Sequence, residues 1–241
     1  MRWPHALPGV GENLQDHLQL RTIFRVDNAL TLNKLANSLV GKARMGLEYA
    51  LKRSGPLSMA PSQLGIFTRS DPSRETPDLE YHVQPLSTDK LGDPLHRDPA
   101  ITVSVCNLRP DSVGTCHIAV PDSDAHPEIR PNYLSAETDR AIAVASIRQA
   151  RTLMTAEALK RYAPREVLPG PEITADAADL VRTAGDIGTT IFHPVGTCRM
   201  GSDAEAVVDT DLRVRGLDGL RIVDASIMPR IVSGNTPPHR S

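Results

Sequence analysis

The side chain best suited to moving a proton is His193, in the run Ile191-Phe192-His193-Pro194-Val195-Gly196-Thr197. Pro194 fixes its own φ and Gly196 admits backbone conformations that other residues avoid, so the imidazole sits on a rigid, non-helical frame. Imidazole titrates near neutrality and can serve as a general base, although by residue type alone a structural or exposed ring is the commoner reading. A second candidate, Asp224-Ala225-Ser226, follows the apolar run Gly219-Leu220-Arg221-Ile222-Val223, which predicts a short strand. Small residues beyond a strand's carboxyl end let backbone amides approach a phosphate or a flavin. The plainer alternative is an Asp or Ser that caps whatever follows. His193, Asp224 and Ser226 have the residue types of a hydrolytic triad, but no Gly-x-Ser-x-Gly elbow exposes the serine. Cys116 and His117 are adjacent, so on a strand they point to opposite faces, and neither they nor His193 with Cys198 find further ligands at suitable spacing. No metal site is expected.

The elements that must position these residues are legible in part. Residues 1–17 read as a loop, broken by Pro8, Gly9 and Gly11 and supplied with local hydrogen-bonding groups by Asn13, Gln15 and Asp16. Between 29 and 52, Leu32, Leu35, Leu39, Met45, Leu47 and Leu51 fall roughly on one helical face, predicting one or two helices that stop at Ser54-Gly55-Pro56. Strands are predicted at Leu79–Val83, Ile101–Val105 and Thr115–Val120. The link Asn107–Gly114 carries Pro110-Asp111, so the last two strands are expected to pair antiparallel. Their polar alternation suggests one sheet face that is wet or lines a cavity. From Ser135 to Leu159 a helix is predicted, with Ser135 as N-cap and Val144, Ile147, Ala150 and Met154 on one stripe. After the proline-rich segment 163–175, a short helix over Thr174–Arg182 is expected, with Asp176 near its positive end.

Composition narrows the class. The 241 residues are 40% hydrophobic but only 3% aromatic, so aliphatic side chains must fill the core of one large domain or two small ones. A net charge of -2, from 27 Lys+Arg against 29 Asp+Glu, lacks the footprint of a nucleic-acid partner. The best apolar stretch, Ala141–Ile147, falls far short of the roughly 18 residues that span a bilayer. The first residues have no apolar run of a secretory leader, and Cys106, Cys116 and Cys198 lack Cys-x-x-Cys pairing, so a cytoplasmic location is expected.

Together, however, four blocks in order resemble the glucose-methanol-choline (GMC) oxidoreductases, flavoproteins that oxidise alcohols. They are Leu7-Pro8-Gly9-Val10-Gly11-Glu12-Asn13-Leu14-Gln15-Asp16-His17, Asn132-Tyr133-Leu134-Ser135, His193-Pro194-Val195-Gly196-Thr197-Cys198-Arg199-Met200-Gly201, and the stretch from Val208 through Gly219–Pro229 to Ile231-Val232-Ser233-Gly234-Asn235-Thr236. Residues 107–236 resemble the family's conserved C-terminal region. The resemblance implies an α+β fold: an antiparallel-sheet substrate-binding domain with flanking helices over 18–186, plus parts of an α/β FAD-binding domain at 1–17 and 187–241. It implies FAD as cofactor, with His193 and Asn235 as the catalytic pair beside the flavin and Asp224, Ala225, Asn235 and Thr236 as cofactor-binding residues. The implied reaction oxidises a small alcohol to an aldehyde, with hydride passing to flavin N5. The wording of the blocks is similar to choline dehydrogenase-like and other acceptor-linked members; which alcohol and which electron acceptor are left open.

The sequence also departs from the family. No Gly-x-Gly-x-x-Gly loop follows a strand to hold the ADP half of FAD, complete members are roughly twice as long, and Thr236 is followed by Pro237-Pro238-His239-Arg240-Ser241 in place of Asn-Ala-Pro-Thr. A fragment truncated at both ends is expected. The alternative is a non-catalytic remnant that folds partially and binds no flavin.

Overall fold

Polar and apolar side chains alternate along Leu18-Gln19-Leu20-Arg21, and this segment forms β1 (Leu18–Arg25), an interior strand of the larger sheet. The computed structural model describes residues 6–236 apart from 61, 91, 174 and 175. The chain divides into two units, one made of residues 1–18, 107–140 and 190–241, the other of 19–106 and 141–189. Helices and antiparallel strands are mixed throughout, so the α+β class holds.

The second unit contains most of a six-stranded sheet. Strands β2 (Leu64–Thr68), β3 (Leu79–Gln84), β4 (Ala100–Asn107), β1 and β7 (Arg165–Leu168) lie in the order β2-β3-β4-β1-β7, and β8 (Gly188–Thr190) also pairs with β1. β1 and β4 are antiparallel, from Gln19 opposite Cys106 to Arg25 opposite Ala100. β3 and β4 lie where the sequence predicts strands. The long helix α3 (Glu137–Met154) buries the expected stripe of Val144, Ile147, Ala150 and Met154. Tyr81 of β3 donates its hydroxyl to the Ser146 carbonyl of that helix at 2.9 Å, which satisfies the one polar atom of a wholly buried ring.

The one or two helices expected over 29–52 are α1 (Leu32–Ala36) and α2 (Leu39–Lys52); only Gly41 and Met45 of α2 are buried, while Leu39, Leu47 and Leu51 are exposed. A Cβ on Gly41 would lie 2.2 Å from the Leu35 carbonyl oxygen. That close approach fixes which side of α2 faces α1, and Leu39, Leu47 and Leu51 lie about 160°, 120° and 80° round the helix from it. The strands at 101–105 and 115–120 do not pair with each other: β5 (Thr115–His117) pairs with β6 (Glu128–Arg130). Both edges of β4 are occupied, by β3 and β1. The intervening link is held elsewhere, because Asp111 and Ser112 donate their backbone N–H groups to the Asp139 carboxylate at 3.0 and 2.7 Å.

The helix near 174–182 runs instead as α4 (Ala177–Ile187), capped by Asp176, whose carboxylate accepts from the N–H groups of Ala178 and Asp179. Thr174 and Ala175, the start of the predicted span, lie outside the described residues. Gly219–Asp224 is not a strand. Only Arg221 forms a bridge, with Arg213, across a turn in which Gly216 and Gly219 adopt φ of 72° and 78°.

Candidate active site

The unit built from 1–18, 107–140 and 190–241 draws together blocks that are distant in sequence. Gln15 and Val195 exchange backbone hydrogen bonds of 3.1 and 2.9 Å. Next to this bridge, Gly196 has φ of 93°, and a Cβ there would sit 2.2 Å from the Asn13 carbonyl oxygen, so only glycine lets the two segments approach this closely. The Gln15 side chain accepts from the Ile231 N–H at 3.0 Å, fixing where the C-terminal tail begins. Cys198 and Met200 donate their N–H groups to the carbonyls of Ser226 and Ile227 at 2.9 and 2.8 Å. Val195, Ala225 and Ile231 close a small apolar cluster between these connections.

His193 is half-buried in this frame and is held both at its backbone and at its ring. Its backbone N–H donates to Asp16 Oδ1 at 3.0 Å. The other oxygen of Asp16 accepts from the hydroxyls of Thr190 and Tyr133, and Thr190 Oγ1 in turn accepts from the Phe192 N–H at 2.8 Å. Burial, reinforced by the adjacent Asp16, pushes the Tyr133 phenol well above its usual range, so it remains a donor. Phe192 has φ of 64°, and the Thr190 and Asp16 contacts on either side of it hold this left-handed turn. At the side chain, His193 Nδ1 lies 3.3 Å from Nδ1 of His17, with the two rings nearly perpendicular. His17 is 1% exposed, and its Nε2 lies 3.3 Å from the Leu108 carbonyl oxygen. Burial lowers the His17 pKa and His193 lowers it further, against the opposing pull of Asp16 and of the Leu108 and Val232 carbonyls.

The other residues singled out in the sequence fall close along the chain to this frame. Asp224 is exposed and accepts from the Ser226 N–H at 2.8 Å, capping the short 3-10 turn Ala225–Ile227, so its visible role is the plainer of the two anticipated. Ala225 packs against Val195 and Ile231. Asn235 is exposed, while Thr236 Oγ1 is buried without a hydrogen-bonding partner among the described residues. Sequence reasoning gave no role to His17 and treated Asp16 only as a polar loop residue. It also missed Glu80 and His82 in the other unit, two buried residues on one face of β3 whose side chains meet at 2.9 Å. Glu80 Oε2 and His82 Nδ1 have no partner among the described residues. The strict alternation of Leu79-Glu80-Tyr81-His82 was the available signal, since it sets two polar side chains on the face opposite Tyr81.

Residues 110–239, more than half of the chain, match the family model described as GMC oxidoreductase. The chain belongs to the GMC oxidoreductase family. This GMC chain is 39% identical over 233 residues to a Pseudomonas putida alcohol dehydrogenase [acceptor], covering 96% of its own length and 42% of the relative. It is 38% identical to an oxygen-dependent choline dehydrogenase of Klebsiella pneumoniae, covering 96% and 41% of the two chains. Among solved structures, pyridoxine 4-oxidase from Mesorbium loti superposes with a TM-score of 0.76 at 26% identity, covering 96% of this chain and 41% of that one. Aspergillus oryzae formate oxidase, studied for the modification of its FAD, gives a TM-score of 0.85 at 24% identity over 95% of this chain and 44% of that one. The chain thus spans about two fifths of the length of the curated relatives it matches. Among the described residues no helix is long and apolar enough to cross a membrane.

Proposed function

We propose that these 241 residues supply the substrate-binding half and the flavin-facing end of an FAD-dependent oxidoreductase acting on the CH–OH group of a small alcohol. Residues 18–186 contact the alcohol in this reading, and 1–17 and 187–241 approach the flavin. The observation that carries it is the double anchoring of His193, at its backbone by Asp16 and at its ring by His17, in a chain whose relatives are named alcohol and choline dehydrogenases. A base must be held still to accept a proton from a defined direction. His193 receives the hydroxyl proton, and Asn235 donates a hydrogen bond to the substrate oxygen as negative charge develops there. The buried, unpartnered hydroxyl of Thr236 fits a cofactor that brings its own polar atoms, and Asp224, Ala225 and Asn235 complete the contacts proposed for FAD. When bound, the flavin supplies the hydride acceptor, at N5.

The test joins this chain to the FAD-binding half of a relative such as the Pseudomonas putida alcohol dehydrogenase. Retained yellow flavin that is bleached anaerobically by an alcohol supports the enzyme; a colourless product supports the remnant. Asn235→Ala in that protein is expected to slow alcohol-dependent bleaching about 10²- to 10³-fold, the scale for losing one donor to a developing oxyanion. An unchanged rate removes Asn235 from the pair. The 241-residue chain by itself contains no Gly-x-Gly-x-x-Gly turn to receive a pyrophosphate, so titration with FAD is expected to give no saturable quenching of flavin fluorescence at micromolar concentration. Saturation in that range overturns this expectation.

A further inference from the structure

The two imidazoles form a chain of hydrogen bonds whose placement of protons is set, at the His17 end, by the Leu108 carbonyl. A carbonyl oxygen can only accept, so the contact between His17 Nε2 and the Leu108 carbonyl requires the proton on Nε2. A neutral His17 then presents a bare lone pair at Nδ1, and the facing Nδ1 of His193 must be the donor. We propose that His17 is a positioning residue that locks His193 as the tautomer protonated on Nδ1, so that Nε2 carries the lone pair offered to the substrate. The proposal rests on the reading of His193 as the base. In the step it serves, the alcohol O–H bond breaks, the proton forms a bond to His193 Nε2, and the electron pair stays on the substrate oxygen. The resulting imidazolium keeps its Nδ1–H on His17.

Two further observations agree with this assignment. His17 is wholly buried, which disfavours its cation, and among the described residues the groups that bear on it are Asp16, His193 and the carbonyls of Leu108 and Val232. Of these, Asp16 has both carboxylate oxygens engaged, by the His193 N–H and by the Thr190 and Tyr133 hydroxyls. The ring nitrogen that carries the proton in a histidine is set by the hydrogen bond the other nitrogen makes, and at His17 the Nε2 contact is to the Leu108 carbonyl, which can only accept.

The tautomer can be read without flavin or alcohol. In the 241-residue chain labelled with nitrogen-15 at histidine, long-range proton–nitrogen NMR correlations distinguish protonated from bare ring nitrogens, and loss of signals in His193→Gln identifies that ring. Above the imidazole titration range, wild-type His193 is expected to be protonated on Nδ1 alone. His17→Leu removes the acceptor and shifts His193 toward the Nε2-protonated form, whereas His17→Asn, which can place an amide oxygen near the lost Nδ1, preserves the original tautomer. In the flavin-loaded protein, His17→Leu lowers kcat about 10- to 100-fold, taking as the scale the loss of partners that orient metal-bound imidazoles, with KM little changed and the rate partly restored in His17→Asn. A wild-type His193 protonated on Nε2, or an unaltered tautomer in His17→Leu, overturns the proposal. Should His17→Leu fail to fold, the wild-type spectrum and the Asn variant decide. If the tautomer is as expected but His193→Gln oxidises alcohol at the wild-type rate, the base assignment fails and the lock loses its catalytic purpose.

Discussion

His193→Ala is expected to lower alcohol-dependent flavin reduction by about 10²- to 10⁴-fold, the usual cost of removing a general base, in the flavin-loaded protein that carries this chain. Proton and hydride must both leave the substrate, and without a base the alcohol must lose its proton to water. Water has neither the basicity nor the fixed position of the imidazole. Flavin retention should fall much less, because the segment around residue 193 is held through backbone contacts: the N–H to Asp16 and the Gln15–Val195 bridge remain possible in the alanine variant. Stopped-flow reduction by saturating alcohol, compared with flavin absorbance per protein, separates the two effects. Equal losses of both would mean that His193 supports the fold of the site rather than the chemistry.

How much of this was legible in the sequence follows from the range of the interactions involved. The helix α3 and strands β3 and β4 were readable because periodicity is local: Val144, Ile147, Ala150 and Met154 mark one face, and Leu79–Val83 alternates. The pairing of those strands was not readable. β4 finds β1 some eighty residues earlier, Ile23 opposite Thr102, and the sequence near Pro110-Asp111 looked like a hairpin only because nothing local announced that Asp139 would bind the link. At Gly219–Asp224 an apolar run suggested a strand, yet the glycines on either side of Asp218 favoured turn geometry and left one bridge at Arg221. The site divided in the same way. His193 was visible by its neighbours, but the contact with His17 spans 176 positions, and no spacing rule joins an imidazole after Asp16 to one before Pro194. Blocks that resemble a family named the residues; only the fold supplied the direction in which each ring points.

The largest structural effect should come from Asp16. Asp16 is 8% exposed, and its carboxylate accepts from three donors among the described residues: the His193 N–H, the Thr190 hydroxyl and the Tyr133 hydroxyl. Asp16→Ala strands all three beside a new void, and since an unsatisfied buried donor costs about 1–3 kcal/mol, the unfolding free energy should drop by about 3–5 kcal/mol. Asp16→Asn is the informative contrast. Its amide oxygen can keep the His193 N–H, and the two hydroxyls can rotate to accept from the NH₂ group, so a loss of about 1–2 kcal/mol is expected, near that of a single charge-assisted hydrogen bond. Urea unfolding of the wild type and both variants measures the ranking directly. Asp16→Asn should nevertheless impair alcohol oxidation more than its stability loss suggests, because removing the carboxylate's negative charge also removes a favourable field on the imidazolium that His193 becomes once it has taken the substrate proton. An Asp16→Ala protein as stable as wild type would show that Thr190 and Tyr133 have other partners and that the position of His193 does not depend on Asp16.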